Sequence, residues 1–188
     1  MPKREQILKI ASQKIRTVGY SNFSYADIAK EIGITKPSLH YYFASKEDLA
    51  IAICDLTENF WRTAFNKVLD NINVPTALAK LERLVNKNIK TLQKDEICGL
   101  VSFLNSYEAF PETLQKRITA LVEFEYSLYL ELIQKAVTEK ELPNNIDVNQ
   151  CTVELISIIK GSMIYRRADQ HFDQMLPLLH NLFHYWRR

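Results

Sequence analysis

Glycine is scarce in this chain of 188 residues: there are four, alongside six prolines. So few turn residues argue against a many-stranded β-sandwich, and against a glycine-rich loop that cradles phosphate. The three cysteines, Cys54, Cys98 and Cys151, are odd in number and form no CxxC pair, so neither a disulfide scaffold nor a structural zinc site is expected. The charged start, MPKREQILK, has no apolar signal core. Long hydrophobic runs are also missing, because Glu154 and Lys160 interrupt the most apolar stretch, residues 151–165. These absences predict a protein of the reducing cytoplasm with no membrane partner. There is no HExxH, no GxSxG and no acid–base pair at a telling spacing, so no catalytic residue, no enzyme and no cofactor is expected. His180 and His184 are four apart, yet no carboxylate or cysteine matches them on that face, and no metal site is expected.

What remains is globular in composition, 47% hydrophobic and 24% charged. The net charge of +2 hides an asymmetry. Residues 1–47 hold eight Lys/Arg against four Asp/Glu, a balance of +4, whereas the remainder holds 16 against 18, a balance of −2. A basic head on a slightly acidic body suits an anionic partner, although a solvated basic face explains the same count.

Nearly every segment reads as helix, which makes the chain all-α with about nine helices. Ile7, Ile10, Ala11, Ile15 and Val18 recur at helical spacing, and Gly19 can end that helix. Ser24 with Asp27 caps a short helix that stops at Gly33; Thr35 caps the next, with Pro37 in its first turn. Ser45 and Asp48 open a long helix marked by Leu49, Ile53, Leu56, Phe60, Ala64 and Val68. Further helices are expected over about 76–93, 99–110, 112–140, 148–168 and 173–187, with a polar turn at 94–98 and a loop at 142–145. Short helices up to residue 43 and longer ones beyond predict a head, 1–48, on a helical body, 49–188.

Two capped short helices joined by a tight turn at Gly33-Ile34 are the layout of a helix-turn-helix over 24–43. Ile28, Ile32, Ile34 and Leu39 can pin the pair. The second helix then offers Thr35, Lys36, Pro37 and Ser38 at its start and His40, Tyr41 and Tyr42 one turn on, groups suited to phosphates and groove edges. Lys46 follows at the next helix start, where free amides favour an anion. With Ser24 and Tyr25 these form the expected DNA-binding set. Taken singly, Tyr41 and Tyr42 read equally as packing residues, and Lys36 and Lys46 as solvated ones.

Here the chain resembles the tetracycline-repressor (TetR) family of bacterial transcriptional regulators. The likeness rests on Phe23-Ser24, Asp27-Ile28-Ala29, Gly33-Ile34-Thr35-Lys36 and Leu39-His40-Tyr41-Tyr42-Phe43-x-Ser45-Lys46-Glu47-x-Leu49. Pro37 stands where members often carry glycine, and His40 where they commonly carry tyrosine. The resemblance implies a homodimer that binds a double-stranded operator and answers to a small-molecule effector held in the body. Aromatic residues there, Phe60, Trp61, Phe103, Tyr107, Phe110, Phe124 and Tyr129, are candidate pocket walls, with ordinary core packing as the alternative for each. The last two long helices are apolar on more than one face, which calls for two neighbours. Ile156, Ile159, Gly161, Met163, Leu179, Leu182, Phe183 and Trp186 are the expected dimer seam. Rival readings are a helical enzyme using the body pocket and an interaction module without DNA.

Overall fold

Local capping chemistry sets the start of most elements. In the computed structural model, which describes residues 1–90, 93, 96–172 and 174–188, nine α-helices and no strand occur among the described residues. They are α1 (Lys3–Thr17), α2 (Tyr25–Ile32), α3 (Lys36–Tyr42), α4 (Lys46–Leu69), α5 (Ala77–Lys90), α6 (Gly99–Leu104), α7 (Glu112–Thr138), α8 (Val148–Tyr165) and α9 (Met175–Trp186). Residues 91 and 92 of the expected α5 helix, and 94 and 95 of the expected turn, lie outside the described residues. No helix among them is long and apolar enough to cross a membrane.

The chain divides into two compact units: Met1–Asn59 with Ile97–Val122, and Phe60–Glu96 with Glu123–Arg188. Helices α4 and α7 contribute residues to both. The first unit contains the three-helix head. Ile7, Leu8, Ala11 and Ile15 of α1, Ile28 and Ala29 of α2, Leu39 of α3 and Leu49 of α4 are buried, each large one worth roughly 1.5–3 kcal/mol. Gly19 at φ 90° and Gly33 at φ 74° make the two reversals that L side chains resist. Arg117 of α7 ties into α4 by donating to Asp55 at 2.7 Å and Glu58 at 2.8 Å, and burial of this cluster does not stop the guanidinium gaining proton affinity from Asp55.

The helix expected over 99–110 is shorter. α6 ends at Leu104, and a 3-10 turn spans Tyr107–Ala109. Asn105 and Ser106 between them are weak helix formers whose side chains compete for backbone hydrogen bonds. Phe103 and Phe110 are therefore not on one helix face; both rings instead pack on Tyr20, at centroid distances of 5.8 and 4.9 Å.

The second unit buries Leu78, Leu81 and Val85 of α5, Leu132 and Ile133 of α7, Leu155 and Ile159 of α8, and Leu179 and Phe183 of α9. Asp147 caps α8 through the amides of Asn149 and Gln150. The N-terminus of α5 is closed from far along the chain: Glu141 accepts from the amides of Ala77 at 2.6 Å and Leu78 at 3.2 Å. Trp186 donates its indole N–H to Glu154 at 3.0 Å. Five of the eight expected seam residues, Ile159, Met163, Leu179, Phe183 and Trp186, are core of this unit. A helix apolar all round does not declare which face turns inward. The face left open carries Val153, Ile164 and Tyr165 on or near α8 and Leu176, Leu178 and Tyr185 on α9, while Ile156, Gly161 and Leu182 are half-buried.

Candidate nucleic-acid interface

The helix-turn-helix is built by caps at every end. Ser24 donates its backbone N–H to Asp27 at 2.7 Å, and Asp27 returns its own amide to the Ser24 hydroxyl at 3.3 Å, a closed capping box. The Ser24 hydrogen bonds, aided by Lys14 and Lys30, hold the Asp27 carboxyl below the usual range. Gly33 then takes the left-handed conformation, and Ile34 N–H closes onto Ala29 O at 3.0 Å. Thr35 caps α3 by accepting from Ser38 N–H at 3.2 Å, and Pro37 costs nothing in a first turn whose amides lack helical partners. Leu39, fully buried, anchors the inner side of α3.

The outer side is open. Thr35, Lys36, Pro37, Ser38, His40, Tyr41 and Tyr42 are all exposed, Tyr41 at 86%. A large aromatic ring so fully hydrated is uncommon in a packing role. It stands edge-on to Tyr42, with centroids 5.4 Å apart. His40 is turned back by one contact, Nδ1 lying 3.0 Å from Ala44 O.

Two members of the expected set are committed inside the head. Tyr25 is buried, and its hydroxyl lies 3.1 Å from Phe43 O and within hydrogen-bond reach of Ser45 O, so it fastens α2 to the α3–α4 turn. Burial, then the charge of Asp48, drives its ionisation upward. Lys46 donates to Phe23 O at 2.7 Å and stands 4.5 Å from the Tyr20 ring centroid and 4.3 Å from that of Phe23. Partial burial pulls its pKa down, with Asp27 opposing. Its ammonium thus clasps the α1–α2 connection to α4 through a hydrogen bond and two cation–π contacts. Sequence reasoning passed over Arg4, whose guanidinium lies 5.1 Å from the Phe43 ring; the basic pair Lys3-Arg4 in a charged N-terminus was its only signal.

The candidate pocket residues divide between the units. Phe103 and Phe110 pack behind Tyr20, and Tyr107 shares a 2.7 Å hydrogen bond with Thr119. In the second unit Phe60 is exposed, Tyr129 is buried, Arg62 lies 4.5 Å over the Phe124 ring, and Lys160 lies 5.6 Å from the Trp61 ring while pairing with Glu125 at 2.6 Å. Among the described residues no three His, Cys, Asp or Glu groups gather to hold a metal ion. His180 instead meets Glu82 at 2.9 Å. Cys54 is buried, its thiol pushed up to about 12 by burial, and Cys151 up to about 11 by the same cause.

A capped helix-turn-helix with a polar, exposed second helix is the DNA-binding head of a transcription regulator. Residues 7–53 match the family model described as bacterial regulatory proteins, tetR family. The chain is similar to the "Fatty acid metabolism regulator protein" of Bacillus subtilis, 24% identical over 92% of this chain and 88% of that one. It is also similar to the "Nucleoid occlusion factor SlmA" of Marinomonas sp., 22% identical over 86% of this chain and 81% of that one. Among solved structures, the transcriptional regulator FadR from Bacillus subtilis in complex with stearoyl-CoA superposes with a TM-score of 0.74 at 18% identity, covering 98% of both chains.

Proposed function

We propose that the chain is a repressor that binds an imperfect palindromic operator as a homodimer and is released by a small, largely apolar ligand. The observation that carries the DNA-binding part is the contrast within the head: α3 and its cap leave six polar or aromatic residues open, while Tyr25, Leu39 and Lys46 are locked behind them. Lys36, Ser38, Tyr41 and Tyr42 meet phosphates and base edges, and Arg4 adds a cation beside them. Division of labour follows the head, 1–48, and the body, 49–188.

The homodimer reading is supported by the open apolar face of α8 and α9. Val153, Ile164, Leu178 and Tyr185, with Ile156, Gly161 and Leu182 beside them, offer a surface that a second copy of the chain covers in a four-helix seam. Two heads on a twofold axis then address successive major grooves about 34–36 Å apart. The ligand class is taken from a relative of the same fold that binds stearoyl-CoA. Trp61 and Phe124, each with a cation over its ring, suit a fatty-acyl molecule with an anionic end. A long α4, unbroken from Lys46 to Leu69, carries the change from the body to the head.

Operator DNA chosen by random-sequence selection, titrated in anisotropy with and without stearoyl-CoA, tests this reading. Tight binding relieved by the acyl thioester supports it. Binding that the thioester leaves unchanged contradicts the ligand assignment, and no selectable duplex contradicts the DNA-binding one.

A further inference from the structure

We infer that His40 contacts a DNA phosphate as an imidazolium, so that each head takes up a proton when it binds. This rests on the reading of α3 as the DNA-facing helix. The ring is held rather than free. Its Nδ1 lies 3.0 Å from Ala44 O, and its ring centroid lies 4.7 Å from that of Tyr25, tilted by 48°, with Tyr25 itself buried and fastened to the Phe43 and Ser45 carbonyls. A carbonyl oxygen only accepts, so Nδ1 must carry a proton for this contact, and that donor is spent inside the protein. The nitrogen left for a partner is Nε2, on a residue exposed among Lys36, Tyr41 and Tyr42.

The chemistry of Nε2 then decides what His40 can meet. In the neutral ring with Nδ1 protonated, Nε2 is a bare acceptor and turns a lone pair toward any anion. Phosphate oxygens accept hydrogen bonds and donate none, so the neutral ring meets them with repulsion. Protonated at both nitrogens, the ring keeps its bond to Ala44 and presents a cationic N–H outward. A phosphate contact therefore requires the second proton, and histidine is the side chain whose charge changes between pH 5 and 8.

The surroundings leave that charge to be drawn in by the phosphate. Lys36 on α3 and Arg4 of α1, over the neighbouring Phe43 ring, are cations that oppose a second proton in the free head, while the phenols of Tyr41 and Tyr42 and the buried Tyr25, kept protonated by burial, are neutral. Asp48 at the start of α4, whose charge acts on Tyr25, accepts from the amide and hydroxyl of Ser45. The sign follows from linkage. The DNA-bound form holds the proton more tightly than the free form, so the extra affinity is fully present below the free-state titration. It is lost as pH rises through the bound-state value. Affinity should fall by up to about tenfold per pH unit for each head engaged.

The experiment is anisotropy binding of the full chain to a selected operator duplex at fixed ionic strength, from about pH 8.5 to about pH 5.5, the span over which histidine titrates. Wild type is compared with His40→Phe, which keeps the ring on Tyr25 and removes both nitrogens, and with His40→Tyr, whose phenol donates without a change of charge. The expected result is a wild-type affinity that rises as pH falls, a His40→Phe variant that is weak and flat, and a His40→Tyr variant that is stronger than Phe and flat. A wild-type slope retained by His40→Phe overturns the inference, as does a flat wild type. A wild type that binds no duplex at any pH, while remaining folded, contradicts the DNA-binding reading instead.

Discussion

The head and the body of this chain are both helical, but they leave opposite chemistry on their surfaces. The head buries the apolar residues that join its helices and leaves α3 covered with hydroxyls, rings and a cation; the body leaves a row of Val, Ile, Leu and Tyr side chains open on α8 and α9. A polar face that costs nothing in water waits for a polyanion, whereas an open apolar face of this kind calls for a protein surface. The difference teaches that one chain can carry two kinds of incompleteness, and that each names its own kind of partner.

The contrast can be broken or sharpened by substitution. The largest effect is expected at Leu39, which is 0% exposed under α3. Leu39→Ala should cost about 2–5 kcal/mol in thermal or urea unfolding and weaken DNA binding with it. If DNA affinity falls while stability does not, α3 is not seated as described. Next is Leu178→Glu on the open face of α9, which should leave the protomer folded and weaken self-association on the order of a hundredfold, about 3 kcal/mol, in sedimentation. An unchanged assembly would mean that this face is not the seam.

A smaller and more diagnostic pair separates clasp from contact. Lys46→Met should lower DNA affinity with the salt dependence unaltered, because its ammonium is bound to Phe23 O and the rings. Lys36→Ala should reduce the slope of log K against log salt by about 0.9 for each phosphate that the lysine neutralises. An equal reduction of slope in both variants would return Lys46 to the phosphate. The smallest effect belongs to the body: Glu141→Ala should cost about 0.5–2 kcal/mol, the worth of a helix cap, and leave DNA affinity untouched in the folded protein.

Elements whose instructions are local were legible in the sequence. Ser24 with Asp27, Thr35 with Pro37, Ser45 with Asp48, and Asp147 each mark a helix start within four residues of the groups they cap, and all are observed there. Elements whose instructions come from afar were not. Glu141 closes a helix more than sixty residues earlier, a pairing that no periodicity reveals. Lys46 read as a solvated or phosphate-facing cation because the aromatic rings that hold it become neighbours only after folding. Phe103 and Phe110 fall within the one helix expected over 99–110, but that helix ends before Asn105 and Ser106. On α8 and α9 the apolar residues were evident, but hydropathy alone does not say that Ile159 and Leu179 turn inward and Val153 and Leu178 outward.

The most direct test is a salt titration of binding to a selected operator duplex beside a scrambled duplex of the same composition. An exposed α3 on each of two heads predicts a binding preference for the operator of at least about a thousandfold, with log K falling steeply and linearly in log salt. Equal binding to both duplexes with the same shallow slope would contradict a sequence-reading interface on α3.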